Sequence, residues 1–185
     1  MPPQTRPTGE MPAEHAILGL LSIDDGSGHG YDLARNFSEG QPLAAVLRLE
    51  PGMLYHHLKK MEKAGWVTSV VVPQPSRPPR QVYQITETGR EELDRWLREP
   101  VAHTREIRLE FLVKLYFARL LDAELAARLI AEQLSRLQRQ ESNLAEQTQA
   151  EDPFVRQVYD LRLAQTRAAI DWLQRLTETT SVVPS

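Results

Sequence analysis

The run "AEHAILGLLS" (residues 13–22) places Ile17, Leu18, Leu20 and Leu21 at mixed helical spacing, which predicts a short, largely buried helix. "IDDGSGHG" (23–30) reads as a loop by its Asp and Gly content. In "YDLARNFSE" (31–39), Leu33, Ala34 and Phe37 share a face, so a second short helix is expected, closed by Gly40 and Pro42. Segment 42–50 fits either one helical turn or an extended linker. Pro51 suits the first position of a third helix, where no amide donor is needed. Leu54, Leu58 and Met61 then recur at i, i+4 and i+7, and Gly65 falls just past the helix end.

Two β-branched runs, 68–72 and 81–85, flank the proline-rich connection "PQPSRPPR" and predict a hairpin with a stiff tip. Thr86 fits the cap of a helix over 87–99 with Leu93, Trp96 and Leu97 inward. "PVAHT" (100–104) breaks the pattern, and from Arg105 the chain reads as helical without glycine. Residues 106–121 are apolar around most of a helical circumference, so that helix must be covered on more than one side. Asp122 fits the cap of a helix to about residue 149, with Ile130, Leu134, Leu137 and Leu144 on one stripe. Asp152 and Pro153 open a last helix to about Thr177, with Val158, Leu161, Ala168, Trp172 and Leu176 facing one way.

Three short helices, a hairpin and a helix form the layout of a winged helix-turn-helix, in which the helix before the hairpin is the reader. The expected fold is therefore mainly α. A winged helix-turn-helix DNA-binding domain spans 13–99 and an all-helical dimerisation region spans 105–179. Residues 1–12, rich in proline and polar side chains, read as a disordered leader.

Charge sharpens this reading. The chain has net charge −3, yet residues 51–90 hold six positive side chains (Lys59, Lys60, Lys63, Arg77, Arg80, Arg90) against two negative ones (Glu62, Glu87). Positive charge gathered on one helix and one hairpin is what double-stranded DNA requires, because phosphate neutralisation supplies most non-specific affinity. The expected DNA contacts are Tyr55, His56, Lys59, Lys60 and Lys63 from the helix and Arg77 and Arg80 from the wing. Met53 is expected to meet a thymine methyl.

Other chemistries find less support. His56 and His57 are neighbours and project about 100° apart on a helix, whereas zinc helices use i, i+4 spacing. No metal or other cofactor is expected. The chain has no cysteine, which removes disulfides and thiolate chemistry and suits the cytoplasm. It has no run of ~18 apolar residues, so no membrane partner is expected. "GSGHG" lies between two helices and does not follow a strand, so it does not read as a phosphate cradle, and an enzyme fits least. Two alternatives remain: a winged-helix module that docks a protein, and a binder of small hydrophobic ligands.

The tail carries more apolar surface than one thin helical layer can hide. A homodimer is expected, with Leu137, Leu144, Val158, Leu161 and Trp172 on the interface. Trp96, Phe111, Tyr116 and Phe117 are placed to line a cleft where the winged domain meets the tail. A small aromatic effector could bind in such a cleft.

The run "LGLLS…HGYDLARNF…LEPGMLYHHLKKMEKAGWV…PPRQVYQITETGREELDRWL" closely resembles the PadR-type winged helix-turn-helix transcriptional regulators over residues 14–98. The tail, with "EFLVKLYFARLL", is similar to the virulence-activator-type C-terminal region of one branch of that family. The resemblance implies a dimeric repressor, joined through its tail helices, that releases DNA when a small aromatic or drug-like ligand binds; two reading helices related by a two-fold axis favour a palindromic operator. The chain departs from the family at Glu50 and Met53, where a small hydroxyl residue is usual, and at His56, where proline is common.

Overall fold

The computed structural model describes residues 12–23, 25–74 and 77–180; the side chains of 74–79 and 178–180 are not included. The leader expected over 1–12 therefore lies, except for Pro12, outside the described residues. Among the described residues, seven α-helices and three strands follow in the order α1 (Ala13–Ile23), β1 (Ser27–His29), α2 (Gly30–Arg35), α3 (Pro51–Lys63), β2 (Val67–Gln74), β3 (Arg77–Ile85), α4 (Glu87–Arg98), α5 (Leu112–Leu121), α6 (Ala123–Gln147) and α7 (Pro153–Thr180).

Helix α1 is buried nearly all round, from Ala13 to Leu21, because α3, α4, α5 and β3 surround it. This explains its lack of a clean apolar stripe: a helix at the centre of a core has no solvent face to make polar. Helix α3 does have two faces. Leu54, Leu58 and Met61 are fully buried, and the other side is open. It ends as the glycine predicts: Gly65 sits at φ +73°, and the Trp66 amide donates back to the Met61 carbonyl at 2.9 Å. Thr86 then ties two elements together. It accepts from the Gly89 amide (3.0 Å) to cap α4 and donates to the Gly65 carbonyl (2.6 Å) behind α3.

The sheet has three strands in the order β1-β3-β2, all antiparallel. The sequence reading misses β1, which lies in the segment expected to be a loop. Its three residues are too few for an alternation to show, and its pairing with Val82–Gln84 is a long-range contact. The wing strands are longer than expected, because residues 73–74 and 77–80 of the proline-rich connection are themselves extended; the pairing turns irregular between Val72 and Gln74. Segment 42–50 combines both of its options, one 3-10 turn at Leu43–Ala45 and then extended chain that buries Leu47 and Leu49.

The tail helices start where expected. Asp122 accepts from the Glu124 amide (2.8 Å) and Asp152 from the Val155 amide (2.9 Å). The helix expected from 106 opens irregularly, with a 3-10 turn at Thr104–Glu106 and a π turn at Ile107–Phe111 before α5. Most of its apolar circumference is covered within the chain by α1, α4 and α6, while Leu120 and Leu121 at its end are exposed. The linker is latched as well: the Gln133 side chain, fully buried on α6, pairs with both the amide and the carbonyl of Val101. A single apolar core thus runs from the winged elements into the tail.

Candidate nucleic-acid interface

The open face of α3 carries Met53, Tyr55, His56, Lys59 and Lys63, all exposed. Beside it, β3 presents Arg80, also exposed; the side chain of Arg77 lies outside the described residues. Glu50 precedes the helix as its cap residue but makes no side-chain capping bond, and it places a negative charge at the helix start.

Tyr55 is held in place by a close approach. A Cβ built on Gly30 would lie 2.8 Å from its Cε1 and 2.9 Å from its hydroxyl oxygen, so the ring fits only because residue 30 is glycine. The ring therefore lies over the β1–α2 junction with 43% of the residue exposed. Around it opens a cleft of about 500 Å³, lined by His29, Gly30, Tyr31, Asp32, Tyr55, Arg80 and Gln81. Sequence reasoning missed His29, Tyr31 and Gln81 in this role. His29 lies in the segment expected to be a loop, and only the pairing of β1 with β3 brings it to the wing.

One of the expected contacts on α3, Lys60, is engaged within the chain, together with its neighbour His57. Lys60 places its ammonium 2.8 Å from the Glu14 carboxylate on α1, and His57 donates from Nδ1 to the same carboxylate at 3.1 Å. Lys60, expected as a DNA contact, thus ties α1 to α3 in this structure. The cause is geometric: His57 and Lys60 are one turn apart on the flank of α3 that meets α1. Burial pushes the Glu14 carboxyl up, but the hydrogen bonds and charges of His57 and Lys60 outweigh it and hold it at about 2. The next residue, His15, reaches the other way. Its Nε2 donates to Glu92 on α4 at 2.9 Å, and its ring stacks on Trp96 at 4.6 Å. Glu92 is likewise pushed up by burial and brought down, to about 2, by His15 and Arg95.

The four aromatic residues expected to line an effector cleft pack in or against the core that joins the winged elements to the tail. Trp96, Phe111 and Phe117 are fully buried and Tyr116 is half-buried. Trp96 lies between the His15 ring and the Lys114 ammonium, the latter 4.7 Å from its ring centre, and its indole N–H donates to Glu110 at 3.0 Å. Phe111 meets the edge of Trp172, and Phe117 meets Tyr116. Lys114, 2% exposed, donates to the carbonyls of Trp96 (2.8 Å) and Glu99 (2.6 Å) and so closes the end of α4.

The expected interface residues divide. Leu137 and Leu144 are buried inside the chain, where α6 packs on α7, and Trp172 is half-buried against Phe111. Helix α7 turns Leu163, Thr166, Ile170 and Leu173 into that core. Of the stripe read from the sequence, Trp172 and Leu176 pack on the edge of this core, whereas its earlier residues lie on another face of α7. Leu161 is 60% exposed and Val158 half-buried, and Phe154, one turn earlier, is 72% exposed. This apolar stripe, continued by exposed Ala168, is left open by its own chain.

Among the described residues, no helix is long and apolar enough to cross a membrane, and no group of three His, Asp or Glu side chains is arranged to hold a metal.

Comparison with known proteins places the chain in a family. Residues 17–95 match the transcriptional regulator PadR-like family, and residues 107–180 match the virulence activator alpha C-terminal family. The negative transcriptional regulator PadR of Bacillus subtilis is 32% identical over 133 residues, 71% of this chain and 70% of its own length. A probable transcriptional regulator of Mycobacterium tuberculosis, Rv1176c, is 37% identical over 95 residues, 51% of this chain; the match spans just under half, 48%, of that relative. Among solved structures, Bacillus subtilis PadR in complex with operator DNA aligns over 90% of this chain and 96% of its own, at 24% identity and a TM-score of 0.45. The chain belongs to the PadR-like family of DNA-binding transcriptional regulators, a family of non-enzymatic proteins.

Proposed function

We propose that the chain represses transcription as a homodimer bound to a palindromic operator. Residues 13–99 act as the reading unit. Helix α3 enters the major groove through Met53, Tyr55, His56, Lys59 and Lys63, and the wing approaches the neighbouring groove with Arg77 and Arg80. Residues 105–179 join two copies through the open stripe Phe154, Val158, Leu161 and Ala168 on α7. A symmetric pair is the commonest way to cover such a stripe. Repression is supported by the relative described as a negative regulator. The protein acts where the chromosome is, in the cytoplasm.

One observation carries this reading. Helix α3 divides cleanly into a fully buried face (Leu54, Leu58, Met61) and an open one with Tyr55, His56, Lys59 and Lys63, beside the arginine of a wing. A solvated lysine face alone is common; one aligned with a wing is the footprint of a duplex reader.

The test is enrichment of genomic fragments with the purified protein, followed by footprinting. Two protected half-sites about one helical turn apart, or a multiple of it, are expected. They should be lost when Lys59 and Arg80 are both changed to Ala. Protection that survives this change would refute the assigned face.

A further inference from the structure

We propose that the cleft between the β1–α2 junction, Tyr55 and the wing is the seat of one DNA backbone phosphate, with His29 and Tyr31 as contacts beside Tyr55 and Arg80. The proposal rests on the DNA-binding reading above and names the part of the DNA that this site takes.

The argument begins with the shape of the duplex. A helix in the major groove and a wing in the adjacent minor groove straddle one sugar–phosphate strand, because that strand is the wall between the two grooves. The cleft lies between α3, which supplies Tyr55, and the wing, which supplies Arg80 and Gln81. It therefore faces the strand and not a base edge. Its volume of about 500 Å³ accommodates a phosphodiester with its flanking sugars.

The side chains supply the chemistry. Three polar groups in the cleft have no hydrogen-bond partner among the described residues: the Arg80 guanidinium, the Tyr55 hydroxyl and the buried Nδ1 of His29. A buried polar atom without a partner is rare and calls for a ligand or a water to satisfy it. With the proton on Nδ1, His29 is a donor, as are the tyrosine hydroxyl and the guanidinium, so all three suit an anionic oxygen. Tyr31, 78% exposed at the rim, extends the same set. Gln81 is already held: its amide donates to Ser69, which donates to Glu62. Asp32 is the one carboxylate in the lining, and it opposes an anion. Removing its charge should therefore strengthen binding.

The experiment uses operator duplexes, chosen by the enrichment above, in which each phosphate in turn is replaced by a neutral methylphosphonate. These are titrated with the full chain and with the variants Arg80→Ala, His29→Phe, Tyr31→Ala and Asp32→Asn. One position per half-site should cost the wild-type protein about tenfold in affinity and the Arg80→Ala and His29→Phe proteins less than about twofold. At that position Asp32→Asn should tighten binding to the charged duplex and not to the neutral one. A folding defect lowers affinity for both duplexes alike and so does not reproduce this non-additivity. Equal costs in wild type and variants at every position, with operator binding intact, would overturn the phosphate seat and leave the DNA-binding reading standing. Failure to enrich any fragment would overturn that reading and the seat with it.

Discussion

Two adjacent lysines on α3 should behave differently in DNA binding. Lys59 is exposed and has no ion-pair partner among the described residues, whereas Lys60 is 2.8 Å from the Glu14 carboxylate. Each phosphate that a protein neutralises adds about 0.9 to the slope of log affinity against log salt. A dimer presents Lys59 twice, so Lys59→Ala should make the slope shallower by about 1.8. At about 0.1 M salt this corresponds to roughly eightfold in affinity per contact, or about 60-fold for the dimer. Lys60→Ala should leave the slope within about 0.5, because that charge is already matched; its effect should appear in folding, as a loss of under about 1 kcal/mol for a half-exposed pair. The assay is fluorescence anisotropy with a labelled operator over a potassium chloride series, beside urea denaturation of each variant. Equal slope changes for the two substitutions, or a larger one for Lys60, would refute the reasoning that Glu14 removes Lys60 from the interface.

Gly30→Ala should displace the Tyr55 ring, which lies 2.8 Å from the added methyl, and weaken operator binding about as much as Tyr55→Ala at an overpacking cost of about 1–3 kcal/mol; unchanged operator affinity would contradict the packing described. Leu161→Glu should yield monomers by sedimentation with an unaltered helical spectrum, whereas Leu163→Ala should cost about 2–5 kcal/mol in stability and leave the dimer intact. Glu14 and Glu92 are held at about 2 against an ordinary value of 4.5, so below pH 4.5 the unfolded chain takes up protons first. Their contribution is complete above that pH and is lost as pH falls toward 2, on the order of 2 kcal/mol each after discounting the exposed partners. Urea midpoints measured at falling pH should therefore drop more steeply for the wild type than for the Glu14→Gln, Glu92→Gln double variant.

Much of this molecule is legible in its residues, and the exceptions share a cause. Pro51, Gly65, Thr86, Asp122 and Asp152 act through local backbone chemistry, and the helices they bound lie close to where those residues put them. The reading face of α3 is legible for the same reason, since Leu54, Leu58 and Met61 fix the rotation of the helix. What stays hidden depends on distant partners. β1 exists only because β3 passes beside it, and it carries His29 into the cleft. Lys60 looks like any basic residue until Glu14 arrives from α1, and Lys114 looks like an interruption in an apolar run until the end of α4 supplies two carbonyls. On α7 the sequence offers apolar residues on two faces, and the choice of Leu163 and Ile170 as the inner face is made by packing against α6.

The central claim is that the open face of α3 and the adjoining wing read DNA by sequence. Its most direct measurement is the ratio of affinities for an enriched genomic fragment and for a scrambled fragment of equal length, at about 0.15 M salt, with the wild-type chain and with Tyr55→Ala. The wild type should prefer its own fragment by at least about 10³, bound as two chains per duplex. Tyr55→Ala should lose most of that preference and keep its weak affinity for the scrambled duplex. Equal affinity of the wild type for both fragments, or a preference untouched by Tyr55→Ala, would contradict the account.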